Sequence, residues 1–296
     1  MSQQRISFGI SIALVAYLFF AMASSLVFYF QGRFPTIQII FIQNVVAFFC
    51  ILPMALRRGL RALKTDELPT HLMRDLFGLL SYYLFFLAIR FLNLVDATTL
   101  NYTAPFFVPF VAWVWMKEKI DSHIWWSIVL GFFGVAIVLN PTKEIFQLGF
   151  VFGIFAGITS AVALTSVRRL NLKKEPMSRT LFYFFAISAI LSFPFAWASW
   201  VPPSSNEWLL CCAIGTATAL GQILLTLAYR HGTASYLSPL GYAVVIYNAL
   251  ISYFVFEKSL GWRSLAGTSL IIFGGLLTYL WKTKSGWFKK KENPPL

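Results

Sequence analysis

A chain of 296 residues with 58% hydrophobic and only 12% charged residues, and a mean hydropathy of +0.71, has too little polar surface to coat a water-soluble globule; its solvent is lipid. A formal charge of +13 would suggest nucleic acid as a partner, but the basic residues lie in loops on one side of the apolar segments instead of on a soluble basic face, which excludes that reading. At roughly 20 residues per crossing helix the length holds ten spans, with nothing left for a separate soluble domain.

In chain order the apolar runs predict spans at 6–30, 36–56, 74–92, 96–117 and 123–140, then, after the break Asn140-Pro141-Thr142-Lys143-Glu144, at 146–166, 178–199, 206–229, 234–256 and 261–282. Arg90, Asn93 and Asp96 divide the third span from the fourth, in a run of about forty residues that suffices for two crossings. Trp125, Trp126, Trp197, Trp200, Trp208, Trp262 and Trp281 gather near predicted ends, where amphipathic rings sit at the headgroups. With the amino terminus inside, only Arg33, Arg90, Lys143, Lys258 and Arg263 of the 24 Lys and Arg fall outside, so both termini are expected in the cytoplasm. The basic tail 283–296 is a topology anchor that can touch anionic lipid. Ala21-Met22-Ala23 has the shape of a signal-peptide cleavage site, but the apolar run continues past it, so cleavage is not expected.

Laid on itself at an offset of 140 residues, the chain brings Gly9 onto Gly149, Ala88 onto Ala228, Arg90 onto Arg230, Tyr102 onto Tyr242 and Gly134 onto Gly274; one residue of slippage relates Glu118-Lys119 to Glu257-Lys258. Paired Arg, Tyr and Glu-Lys at one offset mark an internal duplication into 6–140 and 146–282. Each copy has an odd number of helices, so the second enters the membrane inverted, an arrangement suited to alternating access. The segments from Ala88-Ile89-Arg90 through Tyr102, Pro105 and Lys117-Glu118-Lys119 to Gly134, and from Ala228-Tyr229-Arg230 through Tyr242 and Glu257-Lys258 to Gly274, resemble the tandem ten-helix EamA-type modules of the drug/metabolite transporter superfamily. The resemblance covers roughly 6–282. It implies an all-α integral membrane protein of two inverted five-helix repeats that moves a small organic molecule, an amino acid or an S-adenosylmethionine-like metabolite on one reading and a toxic or drug-like compound for export on another. One departure is Lys117-Glu118 and Phe256-Glu257 where the family often has Gly-Glu.

Polar groups inside a bilayer are costly unless they face the bundle interior or a cavity, so each is a candidate. Asn101, Tyr102 and Pro105 share a helical face in the fourth span, and Tyr242 and Asn248 share one in the ninth, with Pro239 beside them. Pro105 frees the Asn101 carbonyl and Pro239 that of Ser235. Any cavity on the duplication axis is expected to see both Tyr102 and Tyr242, whose rings can hold planar groups or cations while their hydroxyls orient polar ones. Gln43, Asn44, Tyr82 and Gln222 add amides and a hydroxyl at mid-span depth, for substrate or for interhelical hydrogen bonds. Arg90 and Arg230 stand at span ends, as gating ion pairs or snorkelling cations. Gly149, Gly153 and Gly157 form a small-residue stripe that lets helices approach closely.

No aspartate or glutamate is expected deep in a span, since Asp96, Glu118, Glu207 and Glu257 sit at predicted ends; this favours exchange or facilitated movement over proton coupling. The histidines, His71, His123 and His231, are expected in short loops, and neither a G-x-S-x-G elbow nor an H-E-x-x-H pair supports a membrane enzyme. Cys50, Cys211 and Cys212 have no disulfide or metal spacing, and no cofactor is expected. A channel remains as a competing reading, separable by whether flux saturates. The expected partners are a small-molecule substrate and membrane lipid, with the chain a monomer or weak dimer in a bacterial inner (plasma) membrane.

Overall fold

The computed structural model describes residues 3–30, 32–57, 59, 63–117, 129–130, 133–134, 137, 148–231, 238–258 and 261–284. The predicted span 123–140 and the tail 283–296 lie almost wholly outside the described residues. In chain order the helices are α1 (Gln3–Tyr29), α2 (Thr36–Leu56), α3 (Leu68–Phe91), α4 (Leu94–Asn101), α5 (Ala104–Met116), α6 (Leu148–Leu172), α7 (Met177–Ala198), α8 (Ser205–His231), a 3-10 turn at Ser238–Tyr242, α9 (Ala243–Phe254) and α10 (Trp262–Lys284). Among the described residues no strand occurs.

Among the described residues, six segments are long and apolar enough to cross a membrane: Phe8–Tyr29, Thr36–Leu56, Leu68–Phe91, Leu148–Leu172, Met177–Ala198 and Ser205–Ala228. Their outward faces are apolar too. Phe8, Val15, Leu18, Met22 and Tyr29 on α1, and Ile190, Phe193, Phe195 and Trp197 on α7, are all exposed, a surface that is stable against acyl chains and aggregates in water.

Local chemistry sets the helix ends. Pro35 stands at the start of α2 and Pro176 at the start of α7 with fixed φ, and Pro69 occupies the first turn of α3. The Asn93 side chain accepts from the Asp96 N–H at 2.9 Å and so opens α4. Lys117, Lys174 and Glu257 take left-handed φ values of 54°, 59° and 52°; Lys117 and Lys174 close α5 and α6, and Glu257 lies three residues past α9.

Helices before residue 117 pack chiefly on helices after 147: α1 on α8, α2 on α7 and α8, α3 on α6, and α4 and α5 on α6, while α9 lies against α1 and α4. The glycine stripe of α6 makes the close approaches possible. A methyl group on Gly149 would stand 2.8 Å from Leu92 Cγ, and one on Gly153 2.7 Å from Leu100 Cδ1.

Four sequence expectations need correction. The third helix begins at Leu68, six residues before the predicted 74, because Arg74 and Asp75, whose charges mark a membrane boundary in a hydropathy reading, are folded into the second turn and buried at 5% and 0% exposure. His71 is likewise helical and fully buried, not in a loop. The fourth span, predicted continuous over 96–117, is broken at Tyr102–Thr103, and the described part of the ninth is a 3-10 turn followed by the short α9. Pro105 cannot donate to the ladder, which puts the first break next to it.

Candidate substrate cavity between the helices

A cavity of about 220 Å³ lies where α1, α2, α3, α6, α7, α8 and the α4–α5 break meet. Its deep end is aromatic, with Tyr17, Phe20, Phe85, Phe86 and Tyr102 in its wall. Tyr102 lies over Gly241, where even a Cβ would come to 3.2 Å from its ring. The cavity reaches Asn171, an exposed residue at the end of α6, and Met177 at the start of α7.

Of the residues singled out from sequence, Gln43, Tyr82, Asn101, Tyr102 and Gln222 line this cavity. Gln43 is 1% exposed, and neither its Oε1 nor its Nε2 has a hydrogen-bond partner among the described residues; Asn101 Oδ1 is in the same condition. Such groups in a bilayer cost free energy unless a ligand or water engages them. Gln222 Nε2 donates to the Tyr82 hydroxyl at 3.2 Å, joining the wall from α8 to α3.

The others sit elsewhere. Asn44 donates to the Ile40 carbonyl of its own helix at 2.8 Å. Asn248 is fully buried in a knot of side chains: its Nδ2 donates to Thr98 Oγ1 at 2.7 Å and Ser24 Oγ at 3.0 Å, and its Oδ1 stands 3.2 Å and 3.3 Å from the Ser24 and Ser25 hydroxyls. Tyr242 is 3% exposed within the apolar core and does not line the cavity, unlike Tyr102, because the 3-10 turn presents Gly241 there instead. Arg90 is exposed at the far end of α3. The side chains of Arg230, Pro105 and Pro239 lie outside the described residues.

Sequence reasoning missed Arg74, the one charged side chain among the described lining residues, and the fully buried Asp75 beside it. The sequence expectation concerned carboxylates deep in a span; Asp75 is buried in the second turn of α3, near the helix start. Pro69 was the available signal, since a proline marks a first helical turn and would have moved the helix start upstream of Arg74.

The two ends of the cavity region differ. Beyond its aromatic end, Gln38, fully buried on α2, forms a two-point clamp on the backbone of Val201: Nε2 donates to the carbonyl at 2.7 Å and Oε1 accepts from the N–H at 2.9 Å. Arg33 Nε pairs with Glu207 Oε1 at 2.8 Å, and the rings of Phe30 and Phe34 lie 5.1 Å apart in the core there. This end is shut.

Near the open end, Glu175 in the turn between α6 and α7 accepts from Thr65 Oγ1 at 2.9 Å and Arg179 Nη1 at 2.8 Å and lies 3.5 Å from His71 Nε2. Burial alone would push its carboxyl up, but the Arg179 and Thr65 hydrogen bonds outweigh that and hold it below the ordinary glutamate range. A depressed carboxylate contributes stability above its unfolded-state pKa, and that contribution disappears as pH falls through the folded-state value. Glu175→Gln is therefore expected to lower stability at pH 7 by about 1 kcal/mol and to flatten the acid limb of a midpoint-against-pH curve. Parallel acid limbs in the two proteins would show that this tie carries no charge.

The sequence model of the EamA-like transporter family matches residues 7–140 and again 147–280. The chain belongs to the EamA-like transporter family. This EamA-like chain is 26% identical over 280 residues to the pseudopaline exporter of Pseudomonas aeruginosa, covering 94% of this chain and 97% of that protein. It is also 26% identical to the S-adenosylmethionine uptake transporter of Rickettsia felis, over 90% of each chain, and to the riboflavin transporter of Vibrio cholerae, over 92% of each. A crystal structure with 16% sequence identity superposes with a TM-score of 0.65, covering 96% of this chain and 99% of the other, which shows the fold alone. Membership of the EamA-like family makes the chain an integral membrane transporter of small molecules, not an enzyme.

Proposed function

We propose that the protein is an alternating-access carrier that binds a small organic metabolite in the cavity between its two halves. The observation that carries this reading is the cavity itself: it is walled by both family segments, holds the ring of Tyr102 and the amide of Gln43, which has no partner among the described residues, and reaches the exposed Asn171.

The architecture of the proposal is ten spans in two inverted five-helix repeats, 6–140 and 146–282. The fourth is α4 with α5, the ninth is the 3-10 turn with α9, and the tenth is α10. Support comes from the double family match and from Lys117 and Glu257, which take the same left-handed conformation 140 positions apart. The crossed pairings of α1 with α8 and α3 with α6 are those that a two-fold axis in the membrane plane would interchange. Both termini lie in the cytoplasm of a bacterial inner membrane, so the open end, beside the basic turn of Lys173 and Lys174, faces inward.

Substrate contacts are assigned to Tyr102, Asn101, Gln43, Tyr82 and Gln222, whereas Asn248 ties helices together, Asn44 bonds its own helix and Tyr242 packs in the core. Relatives of similar length carry pseudopaline, S-adenosylmethionine or riboflavin by name, which supports an amino-acid-derived or nucleoside-like metabolite; export of toxic compounds is the second reading.

Proteoliposomes preloaded with unlabelled compound and offered labelled aromatic amino acids and S-adenosylmethionine test the reading. The expected result is saturable uptake stimulated by internal substrate, reduced about tenfold or more in Tyr102→Ala, the equivalent of ~1.4 kcal/mol of lost contact. Unsaturable flux indifferent to internal substrate would make the protein a channel, and uptake unchanged in Tyr102→Ala would move the site elsewhere.

A further inference from the structure

Arg74 is buried, lines the cavity and belongs to a helix whose neighbouring turns are shaped around it. Its guanidinium lies over the ring of Phe184, with Cζ 3.5 Å from the ring centroid. One turn further along α3 stands Gly78, where a Cβ would meet Arg74 Nη1 and Phe184 Cε2 at 2.9 Å each, so only glycine leaves room for the stack. A guanidinium held by its face keeps its donors free in its own plane.

Those donors are under-used. Arg74 Nε has no hydrogen-bond partner among the described residues, and the nearby carboxylate oxygen, Asp75 Oδ1, is 3.9 Å from Nη1, beyond hydrogen-bond reach. Both Asp75 oxygens also lack hydrogen-bond partners, so the pair is close enough to balance charge and too far apart to satisfy either group. A buried cation left in this condition inside a span is costly as structure and useful as a binding group.

We infer that Arg74 anchors the carboxylate of the transported molecule, which makes the substrate class a small organic monocarboxylate with an apolar or aromatic body. The fork of Arg74 takes the carboxylate through two parallel N–H···O bonds, and the body lies toward Phe85, Phe86 and Tyr102. The single fork has room for one carboxylate, and the Asp75 carboxyl beside it disfavours the second charge of a phosphate dianion. This assignment rests on the cavity being the carrier's substrate site. Gly78 is a positioning residue, acting only through the guanidinium it accommodates.

The test is calorimetric titration of the purified full-length protein in detergent with 3-phenylpropionate, its amide and phenethylamine, matched in size and differing in charge. Wild type is expected to bind the carboxylate about a hundredfold tighter than the amide. Arg74→Gln should abolish that preference while leaving amide affinity unchanged, and Arg74→Lys should fall between the two because it keeps charge and loses the fork. Gly78→Ala presses only on the far ends of two side chains, so it should fold normally and still cost the carboxylate about tenfold; it decides the matter if Arg74→Gln fails to fold. Equal affinity for acid and amide, tighter binding of the amine, no binding of any of the three, or a carboxylate preference that survives in both variants overturns the anchor. Equal binding of acid and amide that is lost in Tyr102→Ala removes the anchor and leaves the carrier reading standing. Arg74-dependent carboxylate binding without counterflow removes the carrier reading and leaves the anchor.

Discussion

Alanine at Gly157 is expected to destabilise the protein by about 2–3 kcal/mol, the upper part of the range for overpacking a tight interior. The added methyl would stand 2.5 Å from Thr103 Oγ1, 2.9 Å from the Leu100 carbonyl and 3.4 Å from that of Asn101. None of these can retreat cheaply. Two are backbone atoms of the α4–α5 break, and the Thr103 hydroxyl is buried and already donates to the Leu100 carbonyl at 2.6 Å. To admit the methyl, α6 must withdraw from the break that positions Asn101 and Tyr102. Gly221→Ala supplies the control, since it meets only the far edge of the Phe20 ring, which can turn aside, and should cost about 1 kcal/mol. Unfolding midpoints of the two variants in one detergent decide the matter; equal losses would mean that the backbone at the break yields as readily as a phenylalanine ring.

Asn248→Asp is expected to be worse than Asn248→Ala, although aspartate has nearly the same shape. Thr98 Oγ1 gives its proton to the Leu94 carbonyl at 2.6 Å, so toward residue 248 it can only accept. An amide N–H fits that demand; a carboxylate would face lone pair with lone pair and remain a buried, uncompensated charge. Alanine removes the bonds, but Thr98 keeps Leu94 and Ser24 keeps the Ala21 carbonyl at 3.0 Å, so its cost should stay near 2 kcal/mol, in line with the modest value of interhelical hydrogen bonds in membranes. Aspartate should cost about 3–5 kcal/mol, the range for stranding a buried charge, or prevent recovery of folded protein. Chemical unfolding of both variants in detergent tests the order; a milder aspartate would show that residue 248 acts as an acceptor toward Thr98.

Much of the helical layout was legible because long apolar runs have one stable form in lipid. The predicted 36–56, 178–199 and 206–229 lie within two residues of α2, α7 and α8 at each end. What hydropathy misread was the start of α3: it treats Arg74 as belonging to water, whereas the Phe184 ring covers the guanidinium from a segment more than a hundred residues away. The break at Tyr102–Thr103 was half visible in Pro105, but whether a proline bends, kinks or interrupts a helix depends on the neighbour that accepts the freed groups. For the site, helical periodicity placed candidates on faces without saying what each face meets. Gln43 and its chain neighbour Asn44 show this, since one lines the cavity and the other bonds its own helix. Internal duplication put Tyr242 beside Tyr102, but positions paired in sequence need not present the same side chain to a cavity, and here the 3-10 turn presents Gly241.

The Gln38 clamp on Val201 and the Arg33 pairing with Glu207 also decide where a drug would have to be delivered. In the proposed carrier, with those contacts holding one end and the cavity reaching Asn171 at the other, a plug too bulky to be carried would enter from the Asn171 side. If the basic loops mark the cytoplasm, that face is the inner one, so an inhibitor shaped to the resting cavity must cross the bilayer before it can act. A compound confined to the outside would have to wait for the buried amide to release the backbone it holds.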